Sequence, residues 1–404
     1  MSKINKHQVS TSVKASINPR VLKWAREAVC FSHSDIVKKL NKKTIKEIDL
    51  IAWEEGRDFP TIDIAKSLAK LYGIKFITFY LPSIPKNIKP LKDFRGVSDA
   101  AAFSKNFVFL MREIQGKQEW LKEYFASKGK KPINFISSVN IDNGIKTAVN
   151  SLNSLLLTDI KLKPKADDTL KALVKKIESL GVFVSIGNSF NGHYLYAIES
   201  AEARGFAIAD KIAPFIFINS KDNKEAQLFT LIHEFCHLLL GKSGVSDTSS
   251  DNRKPIEVFC NKATAEFLMP TEKFREVWDS ITTNDLGKKI EILCEKFPTS
   301  SLSVIIKIHT LKLIDKNTFD ETHNRYKKND SAKSTVNAAI QKQGKTHFSA
   351  PYLRTLRING RQFIDVVIEA YNSNEIMIRN ACSLLGITKA AKFDTYERKW
   401  DMYL

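Results

Sequence analysis

The sequence predicts an α+β protein that is mostly helical, and three observations support this expectation. Apolar residues recur at helical spacing along most of the chain, runs typical of short strands are confined to residues 181–220, and proline-rich or polar stretches separate the regions. A chain of 404 residues is also too long for one ordinary core. We therefore expect four parts, residues 1–90, 91–165, 166–323 and 324–404.

The first part, residues 1–90, reads as a compact run of helices. Asn18 can cap a helix that has Pro19 at its first position, and Thr61 can start another that Gly73 ends. Between them we expect a short helix from Ser34 to Leu40 and a further helix that ends near Trp53. The proline-spaced stretch LPSIPKNIKPLKDF then predicts a linker.

The remaining parts alternate helical and strand patterns. Residues 91–165 are mainly helical and carry no chemical motif, whereas GVFVSI, HYLYAIES, GFAIAD and PFIFINS predict short strands. The stretches EAQLFTLIHEFCHLLLG and PIEVFCNKATAEFLMP are helices by period, as is SLSVIIKIHTLKLI. A polar segment, 324–346, predicts a linker before a last helical module.

Composition and charge narrow the class of protein. The polar N-terminal stretch is not a secretory signal, and no apolar run reaches the ~20 residues of a membrane span, so we expect a cytoplasmic protein without membrane contact. Five scattered cysteines without a CxxC pair fit a reducing compartment. Lysine and arginine (63) exceed aspartate and glutamate (44) by 19, which favours a polyanionic partner such as DNA but equally describes a solvated lysine-rich surface.

The stretch LFTLIHEFCHLLLG, residues 228–241, carries the clearest chemistry. His233 and His237 are four residues apart, so both imidazoles project from one helix face toward a single ion. Zinc accepts such a pair readily. Glu234 lies beside that face, where a carboxylate can take a proton from a metal-activated water. We therefore expect one zinc ion per chain, with Glu234 as general base.

A catalytic zinc needs a third protein ligand. The best candidate is Glu257, twenty residues after His237 on the next predicted helix, with Asn261 on the same face as a supporting partner. Glu266 is the rival. It lies half a turn from Glu257 around that helix, so only one of the two can face the metal.

These two stretches resemble the ImmA/IrrE family of zinc metallopeptidases. The shared features are a Phe-Thr pair before HExxH, an ExxxN helix and a final Leu-Met-Pro; here these are Phe229–Thr230, His233–His237, Glu257–Asn261 and Leu268–Met269–Pro270. The resemblance implies a zincin-like core with a small sheet packed on the HExxH helix. It also implies that His233, His237 and Glu257 bind zinc, and that PFIFINS is the sheet edge against which an extended substrate could pair. Cys236 departs from the small residue often found there, and the basic residue common before the Phe-Thr pair is absent, although Lys224 stands near.

The N-terminal part resembles the XRE (Cro/CI-like) helix-turn-helix group in AWEEGRDFPTIDIAKSLAKLYGI and in the two helices upstream. Lys42, Lys43 and Lys46 could contact DNA phosphates or a partner, whereas Glu47 and Asp49 would be repelled by phosphates. DNA binding and protein interaction are equally supported.

The expected function is that of a zinc endopeptidase that cuts a helix-turn-helix repressor or antitoxin. The alternative is a DNA- or protein-binding regulator in which zinc is structural or sensory; a structural zinc site usually has four closed ligands, which favours the enzyme. The group that stabilises the oxyanion stays open among the metal itself, His193 and Tyr194.

Overall fold

The structure is a computed structural model that describes residues 13–28, 31–40, 44–84, 104–189, 198–200, 202–246, 255–328, 351–387 and 389–401. The chain divides into two compact units, Met1–Phe109 and Leu110–Leu404. The architecture is mostly helical with one small sheet, in agreement with the α+β class.

The first unit contains α1 (Pro19–Glu27), α2 (His33–Leu40), α3 (Glu47–Glu54) and α4 (Ile62–Tyr72), followed by a 3₁₀ turn, Phe76–Tyr80. The Asn18 side chain accepts the Arg20 N–H at 3.0 Å and so caps α1, while Gly73 ends α4 at a φ of +66°. Inside this unit, Arg26 makes a bidentate pair with the Glu54 carboxylate at 2.6 and 2.8 Å. These helix boundaries agree with the capping and turn residues in the sequence.

The second unit begins along α5 (Lys105–Ser127), a helix that crosses the boundary between the units. It continues with α6 (Gly144–Leu156), α7 (Ala166–Ser179), β1 (Phe183–Gly187), β2 (Gly205–Ile208), β3 (Phe215–Asn219) and α8 (Lys224–Leu239). After α8 come β4 (Gly244–Ser246), α9 (Pro255–Leu268), α10 (Thr271–Ser280), α11 (Leu286–Lys296) and α12 (Ser301–Thr310). The last helices are α13 (Pro351–Asn359), α14 (Arg361–Asn372), α15 (Ile378–Leu385) and α16 (Phe393–Asp401).

The four strands are ordered β1-β3-β2-β4, with β1 parallel to β3 and β2 antiparallel to both of its neighbours. The expectation that PFIFINS forms a sheet edge was wrong, because it contains β3, which pairs on both sides: Phe215 lies opposite Phe183 on one side and Ile208 on the other. All five residues of β3 are buried, and a continuous apolar run is typical of such an interior strand. The edges of the described sheet are β1 and β4. Most of HYLYAIES lies outside the described residues.

Helix α8 is the centre of the second unit. It contacts α7, α9, β2 and β3, and it is buried on every side from Gln227 to Leu239 except at Phe229. A helix that is apolar all round needs such a position. A smaller apolar cluster joins α10, α11 and α12, among them Phe274, Ile290 and Ile305.

The C-terminal helices pack against β1. Helix α13 lies along this strand, the Ser185 hydroxyl donates to the Ile358 carbonyl, and Phe363 of α14 meets Trp120 of α5 edge to face at 6.0 Å. Part of the polar segment 324–346 lies outside the described residues. Among the helices that the structure describes, none is both long and apolar enough to span a membrane.

Candidate metal centre

Helix α8 positions the two histidines and the glutamate of the HExxH motif. Its start is held firmly: the Asn223 side chain accepts the Ala226 N–H at 2.8 Å, and the Gln227 amide donates to the carbonyls of Ser220 and Asp222 at 3.3 and 2.6 Å. About two and three turns later, His233, Glu234 and His237 are 4%, 0% and 2% exposed. These polar side chains are therefore built into the core.

Helix α9 brings Glu257 to the same point. Its Oε2 lies 3.1 Å from His233 Nε2 and its Oε1 lies 3.3 Å from His237 Nε2, while the two Nε2 atoms are 3.1 Å apart. One ligand atom from each of the three side chains lies within 4.8 Å of the others. Two imidazole nitrogens and a carboxylate thus converge on one small volume, which is the arrangement of donors that could hold a metal ion.

The Glu257 carboxylate and the His237 imidazole favour each other's charged forms. Burial raises the pKa of Glu257, but hydrogen bonds from His233 and His237 outweigh this effect and hold its pKa far below the usual range. Burial lowers the pKa of His237, yet the hydrogen bond to Glu257 and the charges of Glu234 and Glu257 leave it raised. The Glu257 carboxylate is therefore held in its ionised form, which is the form that binds a metal ion.

Glu266 is not part of this cluster. Its carboxylate accepts the Thr271 N–H at 2.8 Å, the Thr271 hydroxyl at 2.6 Å and the Lys307 ammonium at 2.6 Å. Although burial opposes ionisation, these bonds lower the pKa of Glu266 below its ordinary value. The rival glutamate therefore ties α9 and α12 to the start of α10. Asn261 lies on α9 one turn after Glu257 and is half-buried.

The carboxylate of Glu234 lies between the backbone of α8 and Gly205, the first residue of β2. A Cβ placed on Gly205 would be 3.3 Å from Glu234 Oε1 and 2.5 Å from the Cγ2 atom of Thr230, one turn earlier on α8. Sequence reasoning missed this contact. Its one sequence signal is the glycine that opens GFAIAD, since an isolated strand glycine often marks a close approach of two elements.

The other predicted site residues are only partly described. Lys42, Lys43, His193 and Tyr194 lie outside the described residues. Lys46 is exposed just before α3, and its backbone N–H donates to the Asp49 carboxylate at 2.8 Å. Glu47, next to it, is also exposed, so this face carries both signs of charge.

The region that contains α8 and α9 matches a known peptidase family. Residues 186–290 match the model of the Peptidase_M78 family, described as the IrrE N-terminal-like domain. The matched segment contains His233, Glu234, His237 and Glu257. A search of curated proteins found no match. The matched domain therefore supports a metallopeptidase-type function for the region that holds the convergent donors.

Proposed function

We propose that this protein is a zinc-dependent endopeptidase. The observation that carries the proposal is the convergence of His233 Nε2, His237 Nε2 and the Glu257 carboxylate, with Glu234 beside them. Two nitrogens at about 2.0–2.1 Å from one tetrahedral zinc lie about 3.3 Å apart, close to the 3.1 Å between the two Nε2 atoms. Three protein ligands leave a position for water or substrate, as catalytic zinc sites require.

The roles of the residues follow from their chemistry. His233, His237 and Glu257 would hold the metal. Zinc bound there would supply a Lewis acid that polarises the scissile carbonyl and lowers the pKa of water. Glu234 would accept a proton from the attacking water and pass it to the departing amine. Since Glu234 is 0% exposed, its carboxylate acts without competition from bulk water.

The proposed substrate is a protein, namely a helix-turn-helix repressor or antitoxin whose cleavage relieves repression. This proposal rests on the ImmA/IrrE resemblance of HExxH, ExxxN and Leu-Met-Pro, and on the XRE resemblance of the first unit. Such a first unit would bring DNA or a partner to the enzyme. Exposed Lys46 favours DNA phosphates and exposed Glu47 favours a protein, so both partners belong to the proposal. We propose a cytoplasmic setting for this reaction.

The proposal is tested with a random-sequence decapeptide library whose products are identified by mass spectrometry. The zinc-loaded protein should generate new N-termini, and Glu234→Gln should lower their rate of formation by about 10²–10⁴-fold while zinc content stays at one per chain. Glu225→Gln, on the first turn of the same helix, is the matched control and should cleave like the wild type. Equal product formation by wild type and Glu234→Gln would overturn the mechanism.

The alternative is a regulator that binds DNA or protein and uses the zinc site for structure or sensing. The net charge of +19 favours it. It predicts one tightly held zinc and no library cleavage by the wild type. Binding of a duplex DNA by the full chain would then depend on zinc but not on Glu234.

A further inference from the structure

Gly205, the first residue of β2, lies where α8 comes closest to the sheet. The three atoms nearest to a Cβ built on it would be Thr230 Cγ2 at 2.5 Å, the Phe217 carbonyl oxygen at 2.7 Å and Glu234 Oε1 at 3.3 Å. Non-bonded heavy atoms pack at about 3.5–4.0 Å. Any residue other than glycine would therefore displace at least one of these neighbours.

The sheet side of this contact is held in place. The buried Asn219 side chain donates to the Ala203 carbonyl at 2.9 Å, and its backbone N–H donates to the Arg204 carbonyl at 2.7 Å. Directly after Gly205, Phe206 stacks on Phe217 with ring centroids 5.1 Å apart. The start of β2 therefore has little freedom to swing away from α8.

The helix backbone is held as well. Gln227 ties the first turn of α8 to the loop after β3, and α8 packs against both α7 and α9. A shift of the whole helix would break these contacts. An added methyl group would therefore press on the side chains of Thr230 and Glu234, which share one face of α8, and also on the Phe217 carbonyl of β3, so part of its effect falls on the sheet.

The geometry points to Gly205 as a positioning residue for Glu234: its missing side chain leaves the volume in which the Glu234 carboxylate lies between α8 and β2. The catalytic consequence rests on the proposed peptidase function, whereas the contact itself does not. None of the three nearest atoms belongs to His233, His237 or Glu257. A methyl group at position 205 should therefore disturb the proposed base and spare the metal ligands.

The kinetic test uses the full chain, zinc and the decapeptide library, with kcat and KM measured on one peptide selected from the cleaved set. Gly205→Ala should keep one zinc per chain, lower kcat by at least about ten-fold and change KM by less than about two-fold. Adding Thr230→Ser removes the Cγ2 atom and should recover at least about three-fold of the lost kcat. The matched control is Gly187→Ala on β1, where the three atoms nearest to the added Cβ all belong to Ile358, and kcat should stay within about two-fold.

A kcat for Gly205→Ala within two-fold of the wild type would overturn the inference, as would a kcat loss that follows loss of zinc. If the wild type cuts no peptide, that result refutes the peptidase proposal and not the contact at Gly205. The contact is then tested by a measurement of stability. The urea midpoints of Gly205→Ala, Thr230→Ser and the double variant should be non-additive, with the double variant more stable than the sum of the single effects. Additive midpoints would show that position 205 does not press on Thr230.

Discussion

The Nε2 atoms of His233 and His237 lie 3.1 Å apart, and each faces an oxygen of the Glu257 carboxylate. A neutral imidazole that carries its hydrogen on Nδ1 has its Nε2 lone pair available to a metal ion, so this spacing would let both histidines bind one cation beside Glu257.

Substitution of the two glutamates of α9, Glu257 and Glu266, should affect different properties, zinc binding in the first case and stability in the second. Glu257→Ala removes a ligand, so zinc affinity should fall at least about 100-fold. Glu266→Ala should keep full zinc content but lower the free energy of unfolding by about 1–3 kcal/mol, because the buried Lys307 ammonium loses its carboxylate. Zinc analysis after dialysis and urea unfolding measure the two effects. Full zinc occupancy in Glu257→Ala would assign the third ligand elsewhere.

Metal removal should destabilise the second unit. A ligand that binds only the folded state at about 100 times its Kd adds about 2.7 kcal/mol, so chelation should lower the melting temperature and added zinc should restore it. His237→Ala should melt at one temperature with or without chelator, since its metal site lacks a ligand. If the wild type also melts at one temperature in both conditions, the cluster does not bind zinc in the folded chain.

Glu178 should make stability depend on pH. Burial raises the pKa of Glu178 from 4.5 to about 7, and the charge of Asp365 adds to this rise. The backbone N–H groups of Gln362 and Arg361, which bind the carboxylate, and the Arg361 guanidinium lower the pKa but do not cancel the effect of burial. Between these values the folded state holds a proton that the unfolded state has released, so the free energy of unfolding falls as pH rises from about 4.5 through 7.

The size of this fall should be at most about 3 kcal/mol. Glu178→Gln cannot ionise and should flatten the curve between these pH values, whereas Glu276→Gln, an exposed control on α10, should leave it unchanged. Chemical unfolding at a series of pH values gives the slopes. An identical slope in the wild type and Glu178→Gln would contradict the assignment.

Two glycines of the second unit should respond to alanine with opposite signs. Gly360, with a φ of +76°, turns the chain between α13 and α14 against the Val184 carbonyl, so Gly360→Ala should cost at least about 2 kcal/mol and raise hydrogen exchange in α13 and β1. Gly116 lies within α5 with nothing within 4 Å of its added Cβ. Gly116→Ala should therefore stabilise by about 0.5–1 kcal/mol. Equal effects at both positions would rule out the close contact at Gly360.

Local signals in the sequence determined most of the helix boundaries and one half of the candidate site. Asn18, Thr61 and Gly73 act within a few residues of themselves, because capping and left-handed turns are local hydrogen-bond effects. The relation between His233 and His237 is equally local, since a four-residue spacing on a helix sets which face both side chains share. For the same reason the half-turn between Glu257 and Glu266 was visible, although which of them faces the histidines was not.

The tertiary structure alone decided what depends on contacts between distant segments. Helix α9 turns Glu257 toward α8, while Glu266, on its other face, is bound by Lys307 and Thr271. The strand order makes β3 interior, and no residue within β3 specifies which strands will flank it. Gly205 meets Glu234, 29 residues later in the sequence, only because β2 and α8 pack against each other. Sequence spacing sets which side chains share a face, whereas packing between elements determines what that face meets.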